Sequence, residues 1–125
     1  MGLDEELERC REWIEAALEY SGGTHDFEDV VNQVKQGILQ FWPAPDACAI
    51  TEILTYPKKK VLHIFLAGGN METIVAMNES AERFAKLNGC NGVSVAGRPG
   101  WAKILNKEGY RPLYTALGKD IWEAF

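Results

Sequence analysis

Val61-Leu62-His63-Ile64-Phe65-Leu66-Ala67-Gly68-Gly69-Asn70 is a short apolar run closed by a double glycine. Its length and bulky residues suit a buried strand, and the glycines stop it. Helical spacing follows at once, with Ile74, Met77, Ala81, Phe84, Ala85 and Leu87 recurring between Met71 and Asn88. Gly92-Val93-Ser94-Val95 reads as another strand, Pro99 to Lys107 as a short helix and Tyr110 to Leu117 as a last strand. A strand, a helix and a strand in that order make a right-handed crossover, so residues 93–95 are expected parallel to 61–66. The last strand is expected to return antiparallel, with Pro112 at its start or at an edge.

Upstream, Ala47 to Tyr56 alternates as a strand does, with Cys48, Ile50, Glu52 and Leu54 on one side and Ala49, Thr51 and Ile53 on the other. Pro57 and Lys58-Lys59-Lys60 turn it into the 61–66 run, which predicts an antiparallel hairpin. Trp42-Pro43-Ala44-Pro45-Asp46 reads as an extended turn, because a residue before proline avoids helical geometry. Phe27, Val30, Val31, Val34, Ile38 and Phe41 form the stripe of a helix capped by Thr24 or Asp26 and weakened at Gly37. Leu3 to Tyr20 predicts an amphipathic helix with Leu3, Leu7, Cys10, Trp13 or Ile14, Ala17 and Leu18 on one face. Ser21-Gly22-Gly23 ends it.

A chain of 125 residues suits one domain, here an N-terminal helix and turn over 1–23 and a core over 24–125. Hydrophobic residues at 46% and charged residues at 25% are ordinary for a soluble globular protein. The net charge of −5 argues against a broad nucleic-acid surface, and the three lysines read as a solvated hairpin tip. Cys10, Cys48 and Cys90 show no CxxC or Cys/His spacing, so neither a metal site nor a disulfide framework is expected. The acidic, amphipathic N-terminus is not a signal peptide, and no apolar run approaches the ~20 residues that span a bilayer. A soluble cytoplasmic protein is the expectation.

Several residues are candidates for chemistry. Glu52 lies among apolar neighbours, where burial would raise its pKa and suit it as a base. It could equally reach solvent. His63, across the hairpin, could pair with Glu52 or act as base itself, or be a satisfied half-buried histidine. Gly68 and Gly69 would let backbone approach a ligand, with the N–H groups of Asn70 and Met71 aimed at an anion. Arg98, in a Gly97-Pro99-Gly100 turn at the carboxyl end of a strand, could hold a phosphate or carboxylate, or be a plain turn residue. Trp101 beside it reads as a core anchor, and His25 and Asp26 either line a substrate side or cap a helix. P-loop and nucleophile-elbow sequences are absent. Ile121-Trp122-Glu123-Ala124-Phe125 would give a partner or dimer surface if its aromatics are exposed.

Phe84-Ala85-Lys86-Leu87-Asn88-Gly89-Cys90 and Ile104-Leu105-Asn106-Lys107-Glu108-Gly109-Tyr110 resemble two segments of the GNAT superfamily of acyl-CoA-dependent N-acyltransferases. These are its A-x-x-x-G-C approach to a strand and its L-Y-x-x-x-G-F helix exit. The order of elements from Phe27 to the C-terminus is similar too. The resemblance implies an α/β (α+β) fold, a GNAT-like mixed sheet of about four to five strands with N-terminal helices and a right-handed crossover helix. It implies acetyl-CoA in a cleft between two splayed parallel strands, its pyrophosphate on N–H groups at the start of the crossover helix. That places Leu66, Gly68, Gly69, Asn70, Met71 and Arg98 at the cofactor. Glu52 or His63 would activate the amine of a small-molecule or protein acceptor. Tyr110 would protonate the leaving thiolate, because the family's tyrosine position falls on Asn106. The Q/R-x-x-G-x-G/A signature is absent, with Glu72 and Ile74 near where its glycines fall, and the usual asparagine before the short helix falls near Pro99. Small phage- and prophage-encoded proteins are similar in general look, which would allow a virion location. The alternative is a non-catalytic GNAT-fold binding or structural module, self-associating or holding a protein partner through its C-terminal aromatics and the 97–101 turn.

Overall fold

The computed structural model describes residues 2–98 and 100–122. Their order is α1 (Leu3–Arg9), α2 (Arg11–Leu18), α3 (Phe27–Lys35), β1 (Leu39–Ala44), β2 (Ala47–Thr55), β3 (Lys60–Gly69), α4 (Met71–Ala76), α5 (Asn78–Leu87), β4 (Gly92–Val95) and α6 (Gly100–Leu105). A 3-10 turn over Asn106–Glu108 follows. The mixed sheet runs β1-β2-β3-β4, antiparallel across the first two pairs and parallel between β3 and β4. The hairpin and the crossover expected from the sequence are both present.

Helices cover both faces of the sheet. On one, Leu7, Cys10 and Ile14 of the N-terminal segment join Phe27 and Val30 of α3 over Leu39, Cys48, Ile50 and Leu66. Fully burying a side chain such as Leu7 or Ile14 contributes about 1.5–3 kcal/mol. The N-terminal segment breaks between α1 and α2 at Cys10, yet its apolar stripe stays on one side. On the other face, Leu62 packs against Ala81 and Ala85 of α5, with Ile53, Phe84, Cys90 and Val93 around them. The expected long crossover helix is two helices that meet at Met77.

Two further elements differ from the sequence reading. The second helix stops at Lys35, Gly37 takes a left-handed φ of 78°, and the chain continues as β1. Leu39 and Phe41 fit a helical stripe and a strand face equally well, and the glycine reversal decides between them. β1 is an edge strand, so Pro43 costs no ladder bond on its open side. The expected last strand does not form. Gly109 turns at φ 90°, Pro112 lacks an N–H, and β4 offers only four residues as a pairing edge. Leu113, Tyr114 and Leu117 are exposed instead. Pro99 of the expected turn and Glu123, Ala124 and Phe125 of the expected aromatic tail lie outside the described residues. Asp26, not Thr24, caps α3: its carboxylate accepts from the Asp29 N–H at 2.8 Å and Asp29 accepts from the Asp26 N–H at 3.0 Å.

Candidate active site at the splay of the parallel strands

β3 and β4 pair from Val61 with Gly92 to Ile64 with Val95, and there the ladder ends. Across the other edge of β3, Ile50 pairs with Leu66 and Thr51 with Ile64, so Phe65 is the extra residue of a bulge. A bulge frees backbone from the ladder and bends the strand. A cleft open to solvent lies where the strands part. Ile64 to Ala67 of β3 and Val95 to Arg98, from the end of β4 onward, form its two edges. The crossover segment closes it with Ile74, Met77, Asn78 and Ala81, and α6 with Trp101 and Leu105.

The walls are mainly apolar, and the polar side chains among them are placed by hydrogen bonds. Tyr110 lines the cleft, and its phenol donates to Asn78 Oδ1 at 2.6 Å. The Asn78 amide donates in turn to Glu82 Oε2 at 3.1 Å. Burial pushes the Tyr110 pKa up to about 12, and the carboxylates of Glu82 and Glu108 add to it. The phenol therefore stays protonated near neutral pH. Trp42 Nε1 donates to Thr51 Oγ1 at 2.9 Å, and that hydroxyl donates to Gln40 Oε1 at 2.8 Å. This fixes the indole, which meets the Phe84 ring edge-on at 5.5 Å between centroids. Neither Asn78 nor Thr51 was a candidate for chemistry in the sequence reading. Asn78 interrupts the apolar stripe Ile74-Met77-Ala81, and that interruption was the legible signal.

Arg98 is the charged side chain among the lining residues, its guanidinium 5.2 Å from the Tyr20 ring centroid. Leu66 is buried and lines the cleft as well. Asn106, at the family's tyrosine position, is exposed on the 3-10 turn. His25 packs on Phe65 at 4.8 Å and contacts Thr24 Oγ1.

Glu52 and His63 do meet, as cross-strand partners, and His63 Nδ1 lies 2.8 Å from Ser94 Oγ on β4. None of the three is among the residues lining the cleft. Thr51, Ile64 and Val95 line the cleft, and successive strand residues point to opposite faces. Glu52, His63 and Ser94, the next register row, therefore face away from it. Loss of solvent lowers the His63 pKa, and the Glu52 charge opposes that in part.

The double glycine also has work inside the chain. A Cβ on Gly68 would sit 2.8 Å from Trp13 Cβ, so this glycine lets α2 lie against β3. Gly69 has φ 104°, and a Cβ there would come within 2.5 Å of Ala47 Cα. The Asn70 N–H donates to the Asp46 carbonyl at 2.8 Å, and Asn70 Oδ1 caps α4 by accepting from Thr73 N at 3.2 Å. The Thr73 hydroxyl donates to Asp46 Oδ1 at 2.8 Å. The start of α4 thus carries the chain's own carboxylate, with Glu72 in the first turn. Asn70 N–H, Thr73 N–H and the Thr73 hydroxyl are therefore already partnered within the chain. Gly68, Gly69, Asn70 and Met71 are not among the residues lining the cleft, whereas Leu66 and Arg98 are.

Burial raises the pKa of both Cys10 and Cys48, whose thiols are free and enclosed. Among the described residues no group of three His, Cys, Asp or Glu side chains could hold a metal, and no helix is long and apolar enough to cross a membrane.

No protein-family model and no curated protein matches the sequence. Solved structures do match in fold. An acetyltransferase from Trypanosoma brucei superposes with a TM-score of 0.67 at 12% identity, over 96% of this chain and 96% of that one. A GNAT family acetyltransferase from Staphylococcus aureus gives 0.59 at 10% identity, over 96% and 95%. Glucosamine-6-phosphate N-acetyltransferase from Arabidopsis thaliana gives 0.58 at 14% identity, over 96% and 89%. With this mixed sheet, this crossover and a cleft at the splay of its parallel strands, the chain has the GNAT fold.

Proposed function

We propose that this chain is a GNAT-type N-acyltransferase, moving an acetyl group from a thioester of the acetyl-CoA type to an amine. The observation that carries the reading is an apolar cleft at the parting of β3 and β4 with the protonated Tyr110 phenol in its wall. Acyl transfer breaks the carbonyl C–S bond and forms a C–N bond. The amine loses a proton and the leaving thiolate takes one. Tyr110 Oη gives its proton to the leaving thiolate and takes back the one the attacking nitrogen loses, so the phenol is restored, and Asn78, 2.6 Å away, orients it. The apolar walls keep water from the thioester. Neither a carboxylate nor an imidazole is among the lining residues, so the amine enters as its free base. The rate is expected to rise with pH up to the pKa of the acceptor amine, and a steady-state pH profile checks it. An amine acceptor is in keeping with the Arabidopsis neighbour, which acts on glucosamine-6-phosphate.

Thermal unfolding with a millimolar acetyl thioester tests the reading. A ligand at a hundred times its Kd stabilises the fold by about 2.7 kcal/mol, and an unmoved midpoint contradicts the proposal. One observation favours a second reading, a non-catalytic GNAT-fold binding module: the start of α4 is closed by Asp46. Thioester binding without thiol release in the presence of amines selects it. The exposed Leu113, Tyr114, Leu117, Ile121 and Trp122 would then serve as its contact surface.

A further inference from the structure

Resting on the acyltransferase reading, we infer that the thioester held in this cleft ends at pantetheine or its 4′-phosphate and carries no nucleoside diphosphate. Coenzyme A brings a pyrophosphate and a further phosphate on its ribose, and each needs donors or positive charge. The start of α4 offers the reverse. Asp46 places a carboxylate on Thr73, its carbonyl takes the Asn70 N–H, and Glu72 adds a second negative charge in the same turn. Like charges at this range repel an incoming diphosphate. The space beside both glycines is also filled from within the chain, by Trp13 at Gly68 and by Asp46 with Ala47 at Gly69.

The cleft itself is suited to the rest of the molecule. Its apolar walls, Ile64 to Ala67 with Ile74, Met77 and Ala81, match a pantetheine arm and its acyl group. Arg98 at the edge is a lone guanidinium among the lining residues, and one guanidinium matches one phosphate bidentately. The arrangement therefore selects a carrier with at most a single phosphate beside the pantetheine.

Calorimetric titration of the full chain with acetyl-CoA, acetyl-4′-phosphopantetheine and acetyl-pantetheine tests this. The expected result is that acetyl-4′-phosphopantetheine binds at least as tightly as acetyl-CoA. Arg98→Gln then weakens the phosphorylated ligand about tenfold and leaves acetyl-pantetheine unchanged. Asp46→Asn keeps an acceptor oxygen for Thr73 and removes the charge, so it strengthens acetyl-CoA selectively. Acetyl-CoA binding ten times tighter than acetyl-4′-phosphopantetheine overturns the inference and leaves the acyltransferase reading standing. Unchanged acetyl-CoA affinity in Asp46→Asn overturns the exclusion by charge. Failure of all three ligands to bind removes the acyltransferase reading, and the inference with it.

Discussion

Two neighbouring rows cross the same three strands of the sheet and end in different surroundings. Thr51, Ile64 and Val95 line an open apolar cleft beneath the crossover helix. Glu52, His63 and Ser94, one residue further along β2 and one back along β3 and β4, face the other side. The second row holds the residue types that suggest acid–base chemistry, and the first holds the space. A strand position one residue away is on the other face, so residue type alone does not locate chemistry on a sheet.

The comparison breaks most visibly if the cleft is filled. Ala96→Trp places an indole at the cleft edge and is expected to weaken thioester binding about 100-fold, close to 3 kcal/mol. His63→Gln, on the opposite face, should leave binding within about twofold, and paired titrations read both. Equal losses would erase the distinction between the rows.

Removing the phenol sharpens it next. Tyr110→Phe is expected to lower turnover about 100-fold while thioester affinity holds, as measured by thiol release. The same variant alters alkaline stability. With the Tyr110 pKa raised from 10.0 to about 12, the unfolded chain loses its phenolic proton first, so stability falls as pH rises through that window. Denaturant midpoints between those pH values should drop in the parent and flatten in the variant.

The smallest effect belongs to the other row. His63 has a folded pKa below its ordinary 6.5, so the unfolded chain takes up the proton first. Its contribution is fully present above that pH and is lost as pH falls toward the folded value. His63→Gln should reduce this acid-side loss. Glu52→Gln should steepen it, because the carboxylate that favours the imidazolium is gone. Thermal melts from pH 7 to pH 5 check both.

The hairpin and the crossover were legible because alternation in β2 and helical spacing after Gly69 each allowed a single reading. β1 was not, since Leu39 and Phe41 satisfy both periods and Gly37 merely weakens a helix on paper. The double glycine was legible as a requirement for absent side chains but not as to what fills the space. A ligand and the Trp13 side chain make the same demand. The pairing of Glu52 with His63 was visible in the alternation. The face it occupies depended on where the strands splay, which no local pattern encodes. Tyr110 reaches the cleft through the α6 turn and its bond to Asn78, a contact between distant segments.

Amide chemical shifts of the labelled full chain, recorded as an acetyl thioester is added, test the central claim most directly. The account predicts that shifts concentrate at Phe65, Leu66, Ala67, Val95, Ala96 and Tyr110, while Glu52, His63 and Ser94 stay nearly still. Shifts centred on Glu52, His63 and Ser94, or none anywhere at millimolar ligand, would contradict it.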